Sequence, residues 1–165
     1  MKKLLLYIAV ALTAVSCRIY SFTGTNIQPD VKTICIPFVE YKALRVNPSL
    51  SSDLTEALQD KFRKLTSLEQ VDQDGDLELV CEVTGYDVKA TAITAGEVAA
   101  KNRLTVSVKI EFTSRKYPED DVSQSFSAYE DFDATQSLDA VEGTLCETII
   151  DKLVEDIFNA TVAQW

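Results

Sequence analysis

The sequence predicts an α+β domain in which two amphipathic helices cover one face of a four-stranded, mostly antiparallel sheet. Residues 77–132 contain stretches in which apolar and polar side chains alternate, as in half-buried strands. Residues 48–65 and 138–160 instead carry an apolar side chain every three or four positions, as in amphipathic helices. The elements follow the order β-α-β-β-β-α. Because the strands need cover on one face, a two-layer sandwich follows.

The first strand and the first helix are predicted from residues 31–65. Residues 31–39 are rich in β-forming side chains, but Pro37 cannot donate to a ladder, so this strand lies at an edge or ends near Pro37. For the helix over 48–65, Asn47 can serve as the N-cap, and Pro48 suits the first helical position. The apolar stripe of this helix consists of Leu50, Leu54, Leu58, Phe62 and Leu65.

Three strands are expected in the middle of the chain. After a turn over 72–76, apolar residues alternate as Leu77, Leu79, Cys81 and Val83. Beyond Gly85 the apolar phase switches to Tyr86, Val88, Ala90 and Ala92. A period-two strand cannot change phase without an extra residue or a sharp twist, so a β-bulge is predicted at Gly85. The stretch 104–112 alternates cleanly, 115–121 is predicted to form a hairpin connection, and 122–132 forms the last strand.

The last helix is expected over residues 138–160, with Ser137 as its N-cap. Its apolar stripe consists of Leu138, Val141, Leu145, Ile149, Leu153 and Ile157. Another face carries Glu147, Asp151 and Glu155 at intervals of four. Like charges at this spacing repel each other and destabilise a helix by about 0.3 kcal/mol per pair. A solvated face explains this stack; a basic partner or divalent cations are the alternatives.

The first 16 residues are predicted to be a lipoprotein signal peptide. Lys2 and Lys3 precede an apolar run that is too short to span a bilayer core of about 30 Å. The tetrapeptide 14–17, Ala-Val-Ser-Cys, resembles a bacterial lipobox, so Cys17 is the expected lipid anchor. An ordinary signal peptide cut near this point is the alternative. Residues 17–30 then form an arm, and residues 31–165 form a single domain.

Composition excludes several classes of function. The 165 residues include 26 acidic and 16 basic side chains, and the net charge of −10 would repel nucleic acid. The chain has no histidine, which excludes Ser–His and Cys–His nucleophile pairs. It has no glycine-rich phosphate loop, and no cofactor is expected. The wide spacing of Cys35, Cys81 and Cys146 fits no zinc motif, so these are expected to be buried thiols, with one disulfide as the alternative.

Short segments spread along the chain together resemble those of one protein family. They are Tyr20-Ser-Phe-Thr-Gly-Thr-Asn, Asn47-Pro-Ser-Leu, Leu54-Thr-Glu-Ala-Leu-Gln-Asp-Lys-Phe-Arg, Gly75-Asp-Leu-Glu-Leu, Gly85-Tyr, Asn102-Arg-Leu-Thr-Val-Ser-Val-Lys, Phe126-Ser-Ala-Tyr and Leu153-Val-Glu-Asp-Ile-Phe-Asn-Ala. The chain resembles the LptE family of lipopolysaccharide-assembly lipoproteins in these segments. The resemblance covers nearly all of residues 17–165, and the order of elements behind Cys17 carries it more than any single motif.

This resemblance implies a non-enzymatic protein anchored to the periplasmic side of the outer membrane. Members of the family plug a large β-barrel translocon (LptD), assist its assembly and help to deliver lipopolysaccharide to the outer leaflet. The basic residues Lys101 and Arg103, with Lys109 nearby, would then contact lipopolysaccharide phosphates; a loop kept soluble by charge is the alternative. A stand-alone periplasmic lipoprotein that binds a hydrophobic ligand, or another envelope-assembly partner, is the alternative function.

Overall fold

The structure is a computed structural model that describes residues 27–91 and 100–163. The expected signal peptide, Cys17, most of the arm and Ala92 lie outside the described residues. None of the helices within the described ranges has the length and apolar character needed to cross a membrane.

The described residues contain one six-stranded sheet, so the α+β class is confirmed but the predicted strand number of four is wrong. The strands are β1 Thr33–Cys35, β2 Glu40–Tyr41, β3 Glu69–Gln70, β4 Leu77–Ala90, β5 Lys101–Ser114 and β6 Val122–Asp133. The order across the sheet is β3-β1-β4-β5-β6, and β2 pairs with β4 off this path.

The two additional strands come from short parallel pairings. The expected strand over 31–39 forms only as β1, which ends before Pro37, and β2 begins just beyond that range; each pairs parallel with β4. Residues 69–70 form β3, which pairs parallel with β1. Strands β4, β5 and β6 are antiparallel neighbours, as predicted, and a short 3-10 turn over Pro118–Asp120 lies in the predicted hairpin connection.

Helix α1 spans Leu50–Leu65 and helix α2 spans Leu138–Thr161. Helix α1 begins two residues later than predicted, but Asn47 does cap it, because its side-chain Oδ1 accepts hydrogen bonds from the N–H groups of Ser49 and Leu50 at 3.1 and 3.2 Å. Ser137 occupies the N-cap position of α2, yet its side chain makes no capping bond, so that prediction is only half right.

The core lies between the sheet and the two helices. The predicted helical stripes are buried, except that Leu138 and Val141 are partly buried and Leu65 is 44% exposed. The buried apolar side chain beyond the end of α1 is Leu68 instead. The rings of Phe62 on α1 and Phe158 on α2 meet edge to face at 5.2 Å, which joins the helices over the sheet.

The predicted bulge lies where expected. Val83 pairs with Val108 and Gly85 pairs with Ser107, so Thr84 is the extra residue on β4. The extra residue reverses the phase of the strand and directs Tyr86 into the core, where it is 3% exposed.

Cys35, Cys81 and Cys146 are buried thiols that form no disulfide, which confirms the prediction of small buried side chains. Burial raises the pKa of Cys81 to about 12, so this thiol stays protonated at neutral pH.

Candidate functional site

One face of the sheet is covered by the helices, and the opposite face of β5 and β6, here called the outer face, is lined with polar side chains. Apolar residues of β5 such as Val106 and Ile110 point to the helices and are fully buried. The alternate residues point the other way, and the register pairs Thr105 with Tyr129 and Lys109 with Ser125. The outer face comprises Lys101, Arg103, Thr105, Ser107, Lys109 and Glu111 on β5, and Ser123, Ser125, Ser127, Tyr129, Asp131 and Asp133 on β6.

Hydroxyl groups occupy the middle of the outer face. Thr105, Ser107, Ser123, Ser125 and Ser127 form this group, here called the hydroxyl row. The Oγ atoms of Ser107 and Ser127 lie 2.7 Å apart and share a hydrogen bond across the strands. Because each hydroxyl can both donate and accept, the row can adapt to many polar surfaces without an unpaired charge.

Arg103 is held in place at one end of the outer face. Its guanidinium donates two hydrogen bonds to the carboxylate of Asp131, with Nε–Oδ1 at 2.6 Å and Nη2–Oδ2 at 2.9 Å. The same group lies over the ring of Tyr129, 3.7 Å from its centroid. Hydrogen bonding to Arg103 lowers the pKa of Asp131 and keeps it ionised. A ligand phosphate would therefore compete with Asp131 for this guanidinium.

The three predicted contact residues do not form one cluster. Lys101 is exposed and pairs in register with Asp133, so it lies beside Arg103 on the same face. Lys109 is six residues further along β5, about 20 Å away at 3.3 Å per residue. Its Nζ lies 2.7 Å from the carboxylate of Glu111. The structure brings Lys101 and Arg103 together and separates Lys109 from them.

An exposed loop that the sequence analysis did not single out joins β2 to α1. The Tyr41 hydroxyl donates to the carbonyl oxygen of Arg45 at 2.6 Å and accepts from the N–H of Asn47 at 3.2 Å. These bonds hold the loop while Leu44 is fully exposed and Val46 is 73% exposed. In the sequence, this loop could have been recognised from Leu44 and Val46, the two apolar residues on either side of Arg45.

A buried polar cluster connects β4, α2 and the start of α1. The Tyr86 hydroxyl donates to the carboxylate of Glu142, and the Nδ2 of Asn47 lies 3.4 Å from the same hydroxyl. The thiol sulfur of Cys146 lies 3.6 Å from that Nδ2. Burial, and then the bond to Glu142, raise the pKa of Tyr86, so its hydroxyl remains a donor at neutral pH.

The acidic stack on α2 is partly neutralised. Glu155 forms an ion pair with Lys61 on α1, and this bond lowers the pKa of Glu155. Glu147 and Asp151 are exposed. Within the described ranges, no three acidic or cysteine side chains are arranged to hold a metal ion.

The space between the sheet and the C-terminal end of α2 is small. A cavity of about 40 Å³ lies there, lined in part by Ile27, Val31, Leu77, Phe112 and Val162. This is about the volume of one water molecule and far below the roughly 300 Å³ at which ligand pockets begin.

Comparison with solved structures shows that the fold is shared with other bacterial proteins. A hypothetical protein of Chlamydia trachomatis superposes with a TM-score of 0.51 at 8% identity, covering 79% of this chain and 98% of that one. A Xanthomonas campestris protein of family model DUF330 gives 0.51 at 11% identity, covering 79% and 86%. The rare lipoprotein B of Shewanella oneidensis gives 0.43 at 11% identity, covering 76% and 89%.

Comparison at the sequence level gives the family. No curated protein matches the chain significantly. The family model described as "LptE: Lipopolysaccharide-assembly" matches residues 31–161, which is most of the chain and includes every strand and helix of the described fold. The chain therefore belongs to the LptE family of lipopolysaccharide-assembly proteins.

Proposed function

We propose that this protein is a non-enzymatic outer-membrane lipoprotein that plugs a β-barrel lipopolysaccharide translocon of the LptD type. In this role it assists the assembly of the barrel and helps to deliver lipopolysaccharide to the outer leaflet. The family membership supports the lipopolysaccharide part of this proposal. The polar outer face of the sheet is the structural observation that supports the proposed role as a plug.

A plug needs its own core and a polar exterior, because the lumen of a large barrel is polar. Here the helices bury one face of the sheet, and the hydroxyl row occupies the other. Thr105, Ser107 and Ser127 can exchange hydrogen bonds with a lumen wall of varied chemistry without a desolvated charge. The charged side chains at the ends of the outer face are already paired, Arg103 with Asp131 and Lys109 with Glu111.

The alternative, a stand-alone lipoprotein that encloses a hydrophobic ligand, is less well supported. Such a ligand needs an interior pocket between the helices and the sheet. The cavity beside Leu77 and Phe112 has about 40 Å³, which would not accept an acyl chain. Two larger hollows, of about 550 Å³ beside Phe38 and about 450 Å³ beside Lys61, open at the surface and are lined in part by amide or charged side chains. We therefore favour a surface-based role over ligand storage.

The N-terminal part of the chain supplies the proposed attachment. Cys17 follows the apolar segment of the signal peptide and would carry the lipid after cleavage. Residues 17–30 would then be the arm between the membrane and the domain of residues 31–165. Acyl chains contribute about 0.8 kcal/mol per buried CH₂, so several chains together hold a protein on a bilayer.

Lipopolysaccharide would contact the basic end of the outer face. Lys101 and Arg103 are neighbours there, and a guanidinium can bind a phosphate through two hydrogen bonds. Lys109 would belong to a second, separate contact, because it lies about 20 Å away along β5.

Affinity purification of the lipidated protein from its own membranes tests the main proposal. The expected result is recovery of one very large outer-membrane β-barrel, and depletion of the protein should leave that barrel misassembled. A Cys17→Ser variant, which cannot be acylated, serves as the control and should recover less barrel. Recovery of the native protein without any barrel, or an unchanged barrel after depletion, would contradict the proposal.

A photo-crosslinking residue at Thr105 tests the contact surface. Thr105 lies in the middle of the outer face and faces away from the helices. An adduct between position 105 and the barrel is expected. If the barrel co-purifies but position 105 gives no adduct, the plug role stands and the assigned contact surface is wrong.

A further inference from the structure

Among the described residues, strand β6 forms one edge of the sheet, and it is long for an edge strand. It has 12 residues, whereas β3 at the opposite edge has two. An edge strand presents unpaired N–H and C=O groups that can pair with another chain. Proteins usually protect such edges with charges, proline, bulges or a covering element.

The contacts of α2 show which backbone groups point to the free side of β6. The Nζ of Lys152 donates to the carbonyl oxygen of Tyr129 at 3.2 Å, so the backbone of Tyr129 faces away from β5. Backbone direction alternates along an antiparallel strand. The N–H and C=O groups of Ser123, Ser125 and Ser127 therefore face the free edge as well.

Within residues 27–91 and 100–163, only the C-terminal part of this edge is protected. Lys152 occupies the carbonyl of Tyr129, and three of the next four residues are acidic: Glu130, Asp131 and Asp133. The preceding stretch 122–128, Val-Ser-Gln-Ser-Phe-Ser-Ala, contains no charge, no proline and no glycine. This stretch is referred to below as the open edge.

The side chains of the open edge also lack cover. On the side that faces the helices, Val122 and Phe126 are only partly buried although both pack against the core. Gln124, between them, is exposed. A further strand along this edge would cover Val122 and Phe126 and would bring its own outward side chains beside the serines.

We propose that the open edge pairs with the open edge of a second copy of this chain, antiparallel and about a two-fold axis at Gln124. This register places Val122 opposite Phe126 of the second copy, Ser123 opposite Ser125, and Gln124 opposite Gln124. Residues with outward backbone groups then face each other, as an antiparallel ladder requires. Each copy covers the other's apolar pair, and serine meets serine on the outer face.

The neighbouring register is less favourable. An axis at Ser125 would also place residues whose backbone N–H and C=O groups face the free edge opposite one another. It would, however, place Asp120 opposite Glu130 and Phe126 opposite Gln124. Like charges directly opposite are destabilising in a sheet. An axis at Gln124 places no two like charges opposite each other within residues 120–128.

The position of the N-terminal segment favours a second copy over an unrelated strand. Ile27 lies in the same cavity wall as Tyr117 and Asp120, directly before β6, and Lys116 donates to the carbonyl oxygen of Asp30 at 2.5 Å. An axis at Gln124 therefore brings both N-terminal segments close to the centre of the dimer. Ten residues separate Ile27 from the anchor proposed at Cys17, a reach of about 35 Å, so both anchors can enter one membrane.

This pairing goes beyond the proposed function and concerns copies that are not seated in a barrel, because a seated plug would have the barrel wall beside β6. The membrane argument rests on the proposed anchor at Cys17. A single strand pair buries little area, so the dimer should be weak in solution. Two copies tethered to one membrane are at a much higher effective concentration. The dimer should therefore be detected most readily on the membrane.

A disulfide at the axis tests the register. Gln124 would be a non-hydrogen-bonded pair with its symmetry mate, at a Cα separation of about 4.5 Å, which a disulfide can span. In the full-length lipidated protein on its native membrane, Gln124→Cys should give a covalent dimer on mild oxidation. Ser127→Cys is the matched control, because about 20 Å would separate the two introduced thiols. At least a tenfold difference in dimer yield is expected.

Ser125→Pro in the Gln124→Cys protein tests the ladder itself. The backbone N–H of Ser125 faces the free edge, so proline at this position should remove a backbone hydrogen bond to the second copy without removing one to β5. The dimer yield should fall at least tenfold while the thermal midpoint of unfolding stays within a few degrees. If this variant does not fold, Ser125→Lys serves instead, since an edge lysine also blocks pairing.

The outcomes separate this inference from the plug role. Three results would each overturn the proposed pairing of two copies. They are equal yields of covalent dimer for the cysteines at 124 and 127, no dimer for either cysteine, and an adduct of position 124 only with a different envelope protein. A Gln124→Cys dimer that Ser125→Pro abolishes supports it. Barrel recovery is measured independently by affinity purification, so failure of one proposal does not imply failure of the other.

Discussion

Tyr86 on β4 donates its hydroxyl hydrogen to the carboxylate of Glu142 on α2, and this bond joins the sheet to the helix layer inside a nearly closed site. The same hydroxyl lies 3.4 Å from the amide of Asn47, which caps α1. One phenol therefore connects the sheet, the start of α1 and the first turns of α2. The arrangement depends on the bulge at Thr84, because without it Tyr86 would face outward.

Tyr86→Phe should destabilise the protein by about 1–3 kcal/mol, because it leaves the Asn47 amide and the Glu142 carboxylate without this partner. Urea unfolding of the mature protein in detergent measures the change. Tyr129→Phe is the matched control, since Tyr129 is 49% exposed and its ring can still contact Arg103. Equal effects of the two substitutions would show that the buried cluster does not contribute to stability.

Two glycines should respond in opposite directions to alanine. A Cβ on Gly75 would lie 2.5 Å from the carbonyl oxygen of Leu77 and 2.7 Å from the backbone nitrogen of Cys35. Both are backbone atoms of the sheet, so Gly75→Ala should cost about 1–3 kcal/mol. A Cβ on Gly143 would meet nothing within 4 Å, and the residue lies inside α2, so Gly143→Ala should stabilise by about 1 kcal/mol.

Thermal and urea unfolding of both alanine variants give the comparison. Because the same substitution is made twice, the opposite signs cannot come from alanine's effect on the unfolded chain alone. A stable Gly75→Ala variant would mean that the turn between β3 and β4 can move. A destabilised Gly143→Ala variant would mean that this part of α2 contacts something outside the described residues.

The long elements could be predicted from the sequence because their patterns are local. The alternation from Leu104 to Phe112 gives β5, and the phase change at Gly85 gives the bulge, since both follow from a period of two. Asn47 was recognisable as a cap by residue type and position. The apolar stripes of both helices follow from the 3.6-residue period.

The short strands and the site pairings could not be predicted in this way. Strands β2 and β3 have two residues each, too few to show alternation, and their partners are distant in sequence. The pairing of Arg103 with Asp131 depends on the register across the β5–β6 hairpin. The prediction therefore grouped Lys101, Arg103 and Lys109 because they are close in sequence. Which of these charges are neutralised depends instead on the pairing of side chains across neighbouring strands.

The carboxylate of Asp76 should make stability depend on pH in the acid range. It accepts hydrogen bonds from the N–H of Lys32 at 2.8 Å and from Lys116 Nζ at 3.0 Å. These bonds lower the pKa of Asp76 from 3.8 to about 2. A lowered pKa in the folded state means that this stabilisation is complete above about pH 4 and is lost as the pH falls towards 2.

Asp76→Asn should therefore give a shallower loss of stability between pH 4 and pH 2, measured by urea unfolding at each pH. Lys116→Met is the matched comparison. It removes the second contribution but keeps the backbone bond from Lys32, which is the largest, so most of the pH dependence should remain. An Asp76→Asn curve that runs parallel to that of the unmodified protein would contradict this assignment.

Binding of lipopolysaccharide phosphates at Lys101 and Arg103 gives the last prediction. Asp131 competes with a phosphate for the Arg103 guanidinium, so Asp131→Asn should increase affinity, while Lys101→Ala and Arg103→Ala should each reduce it. An exposed charged contact contributes up to about 1 kcal/mol, so each change should be up to about fivefold. Lys109→Ala tests the separate contact and should have a smaller effect, because Lys109 lies about 20 Å from Lys101 and Arg103 along β5 and would bind a phosphate without a second cation from that pair.

Equilibrium binding to lipopolysaccharide, and to the same lipid after removal of its phosphates, provides the measurement. The order Asp131→Asn tighter, unmodified protein intermediate and Arg103→Ala weaker should appear only with the phosphorylated lipid. Lys64→Ala is the control, because Lys64 lies on α1 in the helix layer, away from the outer face. If Lys101→Ala and Arg103→Ala leave the affinity unchanged, this end of the outer face does not contact the phosphates, and its charges serve only to pair β5 with β6.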